Sequence, residues 1–149
     1  MLKRVTTAIV TDASGNATVY LGDRIRGRLH MIIYRPDTLV SGEASSTPMD
    51  TGADLTITAV QNPQPRPDGP PSPAVPEGTP ILTKLNMGTP GDSFLYPRAL
   101  PTNANSATGP LGTVPSELIP LVDERIKVVV AQGGNALTGS IEAIYDAEV

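Results

Sequence analysis

Asp50-Thr51-Gly52-Ala53-Asp54 is the segment of this chain whose residue types and spacing come nearest to chemistry. Two carboxylates held very close share one proton, and the ionised partner then activates a water molecule. A single Asp-Thr-Gly per chain needs its second carboxylate from another copy, so the chemistry would belong to a homodimer.

The motif is similar to the D-T-G-A signature of the small dimeric aspartic proteases. In that family an apolar strand leads into the catalytic loop. Here Ser45-Ser46-Thr47-Pro48 precedes it, and no glycine-rich flap segment follows. The alternative is a turn in which the Asp50 side chain caps nearby backbone N–H groups and feeds a strand from Leu55.

Other candidates point to structure rather than reaction. Gly133-Gly134-Asn135 could cradle a phosphate, but it lies between two strand-like runs with no helix start after it, so a hairpin turn is expected. His30 is the only histidine and has no serine and acid pattern beside it, which leaves a nucleophilic triad unsupported. Without cysteine there are neither disulfides nor thiolate metal ligands, and no cofactor or metal site is expected. Only five residues are Phe or Tyr and none is Trp, which weakens a sugar-stacking lectin reading.

The elements that would position these residues are strands. The 149 residues suit one domain, and 16 prolines with 14 glycines leave little room for helices. Residues 4–10 alternate in a period of two, Thr11 to Asn16 supply turn chemistry, and Ala17 to Leu21 resume the alternation, which predicts an opening hairpin. Gly22-Asp23 then separates a strand at Arg28 to Tyr34, with Leu29, Met31 and Ile33 on one face and Arg28, His30, Ile32 and Tyr34 on the other. Leu55 to Val60 alternates clearly, and Ile81 to Met87 and Phe94 to Arg98 are further strands. One helical turn is expected at Ser116 to Ile119, stopped by Pro120. The chain is expected to end in a hairpin, with Arg125 to Ala131 turning at Gly133-Gly134-Asn135 into Gly139 to Tyr145.

These elements predict an all-β domain, an antiparallel sandwich or jelly-roll-like fold of about seven or eight strands. Gln61 to Pro80 holds half of the prolines and is expected as an exposed polyproline II insertion. A net charge of −4 argues against a broad nucleic-acid face, although Arg24, Arg26 and Arg28 cluster. The N-terminal run lacks the pattern of a signal peptide, and no apolar stretch is long enough to span a bilayer.

Four blocks in order, R-I-R-G-R-L-H at Arg24 to His30, G-A-D-L-T-I-T-A at Gly52 to Ala59, Y-P-R at Tyr96 to Arg98 and D-E-R-I-K-V-V-V-A-Q-G-G-N-A-L-T-G at Asp123 to Gly139, resemble a family of small structural proteins of tailed bacteriophages. The resemblance spans most of the chain and departs from the family in the proline-rich stretch. It implies a virion protein on the capsid surface, made in the host cytoplasm, that decorates and cements the head, with a tail or neck component as the alternative. It implies no catalytic residues. The implied partners are the major capsid protein and further copies of the chain, with a trimer as the expected oligomer. Contacts to the shell or to neighbouring copies are expected from the N-terminal segment and from two loops, Arg35 to Asp54, represented by Arg35 and Asp37, and Gln61 to Pro80, represented by Gln64, Arg66, Asp68, Val75 and Glu77.

Overall fold

The computed structural model describes residues 1–61, 79–87, 91–98 and 118–147. They form seven strands: β1 (Leu2–Val10), β2 (Ala17–Arg35), β3 (Asp54–Gln61), β4 (Thr79–Lys84), β5 (Ser93–Leu95), β6 (Ile119–Ala131) and β7 (Thr138–Ala147). All pairings are antiparallel and no described residue is helical, so the fold is all-β. The strands join in one hydrogen-bonded sheet, ordered β1-β7-β2-β6-β3-β4, with β5 added to β2.

The long second strand organises the sheet. Nineteen residues at about 3.3 Å each would extend roughly 60 Å, well beyond the roughly 40 Å breadth of a domain of this size, so β2 must bend. It bends through irregularities. The register with β6 shifts between Leu21 and Ile25 and again between Ile25 and Arg26, where Gly22 and, on β6, Asp123 take positive φ values of 68° and 60°. Gly22-Asp23 therefore makes a bulge within one strand, not the break between two strands that the turn-forming residues suggest. The first part of β2, Ala17 to Leu29, pairs with β6, and the last part, Gly27 to Arg35, pairs with β7.

A second irregularity between Leu29 and Met31 shifts the side-chain phase. Leu29, Ile32 and Tyr34 enter the core, whereas the simple alternation placed Leu29 with Met31 and Ile33. One extra residue in a strand moves everything after it to the opposite face.

The core requires that the sheet fold over on itself. Ile9 of β1, Ile141 and Ala143 of β7, Ile32 and Tyr34 of β2, Leu55 and Ile57 of β3, and Val128 and Val130 of β6 all belong to one buried cluster. One face of a flat sheet could not lose all contact with water in this way without a second layer against it. β1, β7 and the end of β2 cover β3, β6 and the start of β2.

This topology replaces both expected hairpins. β1 bonds to β7 alone, while β2, its successor in sequence, bonds to β6. β6 bonds to β2 and β3 and never to β7. The connections Thr11 to Asn16 and Gln132 to Leu137 are arches that carry the chain from one layer to the other. The helical turn is also replaced: Ile119 and Pro120 lie in β6, opposite Leu29 and Arg28, and Ser116 and Glu117 lie outside the described residues. Proline is accommodated because β3 pairs with β6 only from Glu124 onward, so among the described residues no strand pairs with that edge of β6 at Pro120.

Candidate functional site

The two arches are bolted together. Gly133 N–H donates to Gly15 O at 2.8 Å and Ala136 N–H to Asp12 O at 3.2 Å. The Thr11 hydroxyl donates to Gly134 O at 2.6 Å and accepts from Leu137 N–H at 2.9 Å. Asp12 shapes its own arch by accepting from the N–H groups of Ser14 and Asn16. Turn-forming residues at these positions satisfy the backbone of a layer crossing, and Gly134, at φ 90°, supplies a conformation that other residues rarely adopt.

Asp50 docks on the same structure. Its N–H donates to Gly133 O at 3.1 Å and its carbonyl accepts from Ala53 N–H at 3.2 Å. Its carboxylate fills the space beside Gly134, where a Cβ would stand 2.7 Å from Oδ2. Asp54 faces elsewhere, accepting from Asn86 N–H at 2.8 Å and from Gln132 Nε2 at 3.3 Å. The two acids of the motif therefore hold a turn and a strand start, and they do not face each other.

His30 sits at the β2 irregularity, half-buried, with its carbonyl accepting from Arg98 Nη1 at 3.0 Å. Arg24, Arg26 and Arg28 are exposed, and Arg24 lies 3.7 Å from Asp123. Among the described residues no three His, Asp or Glu side chains come together as a metal site.

The densest polar cluster is one that strand patterning did not single out. Glu142 projects from β7 on the face opposite the core, yet it is 5% exposed. Its Oε2 accepts from Arg35 Nη1 at 2.8 Å and its Oε1 from Arg4 Nη1 at 3.3 Å, with the Thr6 hydroxyl at 3.5 Å from Oε2. Arg35 Nε also reaches Asp92 Oδ2 at 3.3 Å. The bond to Glu142, ahead of the other contributions, holds the Arg35 guanidinium even further above its usual range. Beside the cluster lies a cavity of about 370 Å³, walled by Thr38 to Gly42 and floored by Ser140 and Glu142. With both carboxylate oxygens engaged by cations, Glu142 locks β1, β2 and β7 together. The sequence pattern offers only an acid at an outward strand position; the register then sets Arg4 and Arg35 on that face, each opposite a β7 residue two places from Glu142.

Of the expected contact residues, Arg35 is committed to this lock, and Asp37 accepts from the Thr38 hydroxyl at 3.1 Å and, through its carbonyl, from Ser45 N–H at 2.7 Å. Gln64, Arg66, Asp68, Val75 and Glu77 lie outside the described residues.

Exposed apolar side chains occur along several strands, and two of them are aromatic neighbours at β5 and just past its end. Phe94, the only phenylalanine, is 53% exposed and Tyr96 is 62% exposed, while Leu95 between them is buried, so both aromatics stand on one side. The fold and these features define a small all-β protein with a doubled antiparallel sheet and an exposed aromatic pair. Comparison with models of protein families, with curated proteins and with solved structures finds no match.

Proposed function

We propose that this protein is a virion structural protein that decorates the head of a tailed bacteriophage and cements its shell. The reading starts from the sequence resemblance, and the observation that supports it is the outward display of Phe94 and Tyr96. A chain with only five aromatic residues gains most by burying them; three are exposed, Phe94 and Tyr96 more than Tyr20, and neighbours in sequence at that level of exposure favour a surface that is covered by a partner. Aromatic side chains are the commonest anchors of protein interfaces. The bolted arches and the Glu142 lock give the rigid frame that keeps the entropy cost of docking low.

The major capsid protein is the partner in this reading, with Phe94 and Tyr96 as the anchors and the proline-rich stretch as a second contact. Co-sedimentation with purified undecorated heads tests it. The double variant Phe94→Ala/Tyr96→Ala should bind about thirtyfold more weakly or worse, the equivalent of one hot spot. Its melting temperature should stay unchanged. Full binding by that variant would remove the aromatic pair from the interface, and deletion of Gln64 to Val75 tests the second contact in the same assay.

A further inference from the structure

We infer that β1 is a self-association edge, and that two copies of this chain join through antiparallel β1–β1 pairing centred on Thr6. The inference does not depend on what the assembled protein decorates.

The geometry follows from the hydrogen bonds β1 already makes. Its register pairs Leu2 with Asp146 and Val10 with Thr138, and just beyond its ends Ala147 N–H donates to Met1 O and Thr11 N–H to Leu137 O. In an antiparallel pair, residues bonded to the partner alternate with residues whose N–H and C=O point away. The odd-numbered residues of β1 are therefore bonded to β7. Leu2, Arg4, Thr6, Ala8 and Val10 aim their backbone groups at the other edge, which no described strand covers. An uncovered edge of nine residues is a ready template for another strand.

A second copy fits that edge in one full-length register. Two-fold pairing about Thr6 sets Leu2 opposite Val10, Arg4 opposite Ala8 and Thr6 opposite Thr6. Every outward-bonding residue then meets another, giving five hydrogen-bonded pairs of two bonds each. Leu2 and Val10, 62% and 61% exposed, cover each other. The charges select this arrangement: Lys3 lies opposite Ile9 and Arg4 opposite Ala8, whereas a parallel pair in register, or an antiparallel pair about Arg4, sets like charges against one another. The contact is isologous and closes as a dimer.

The cysteine-free chain allows a direct test by single-cysteine cross-linking of the full-length protein. Across a hydrogen-bonded antiparallel pair the Cα atoms stand about 5.5 Å apart, inside the disulfide range of about 4.4–6.8 Å. Thr6→Cys should therefore form a covalent dimer under mild oxidation. Leu2→Cys alone should not, since its copies lie about 27 Å apart in this register, eight residues at about 3.4 Å each. A mixture of Leu2→Cys and Val10→Cys should cross-link as a heterodimer, which checks the register without altering Thr6. Cross-linking of Leu2→Cys alone as fast as the mixture would overturn the register. A native chain that sediments as a monomer at all concentrations, with no cross-linking in the Thr6→Cys protein or in the mixture, would overturn the pairing itself.

Discussion

Arg35 and Glu142, separated by more than a hundred residues in sequence, meet at 2.8 Å on the non-core face of the sheet, one at the end of β2 and the other in the middle of β7. Arg4 of β1 completes the group from the other side of Glu142 at 3.3 Å. One carboxylate thus ties three adjacent strands across the layer that carries the free edge.

Removing that carboxylate's charge leaves Arg4 without its ion pair and Arg35 with Asp92 alone, the two guanidinium groups still crowded together. Glu142→Gln should cost about 2–3 kcal/mol, less than the 3–5 typical of a fully buried pair because Arg4 and part of Arg35 keep contact with water. Chemical denaturation measures it, and hydrogen exchange should quicken first in β1.

Thr11 holds the two arches together with one hydroxyl. Thr11→Val keeps the shape and strands Gly134 O and Leu137 N–H partly unsatisfied, so about 2 kcal/mol should be lost. Thr11→Ser, which keeps both bonds, should lose about 1 kcal/mol for its missing methyl. A loss in Thr11→Ser with none in Thr11→Val would show that the methyl, not the bonds, matters.

Gly27 sits where β2 passes from β6 to β7, with φ at 148°. A Cβ there would collide with the carbonyl oxygen of Asp146, a backbone atom that cannot swing aside. Gly27→Ala should destabilise by about 3 kcal/mol or more, read as a fall in melting temperature.

Tyr34 provides the pH dependence. Burial pushes its phenol up to about 12 from an ordinary value of 10, with its hydroxyl directed at Met49 Sδ at 3.6 Å. Because the folded value is the higher one, the contribution is fully present below pH 10 and is lost as pH rises from about 10 to 12. Ultraviolet titration should show a late-ionising tyrosine, and Tyr34→Phe should remove that late step.

The strands were legible where local pattern alone decides them. Leu55, Ile57 and Ala59 alternate and enter the core as the period of two requires. Pairing was not legible, because Thr11 to Asn16 and Gly133-Gly134-Asn135 carry the same turn chemistry whether the chain doubles back as a hairpin or crosses between layers. What separates the two is the partner each edge finds far along the chain: β7 for β1, and β3 for β6. The phase slip near His30 was hidden for a related reason, since an irregularity with a histidine in it leaves an unbroken run of strand-forming residues. For the candidate site, Asp50 was visible as a motif and so was its place in a turn, but the bond that closes the turn runs from Ala53 N–H to the Asp50 backbone carbonyl rather than to the side chain expected to cap it. Glu142 was not visible, because an acid alternating with Ile141 and Ala143 has the pattern of a solvated strand face until register brings Arg4 and Arg35 onto it.

Electron microscopy of purified virions is the measurement that decides whether this chain is a part of the particle. Repeated density is expected on the head that fits the seven-stranded sheet, with Phe94 and Tyr96 turned toward the shell. Heads that lack such density, with the chain absent from the purified particles by mass spectrometry, would contradict it.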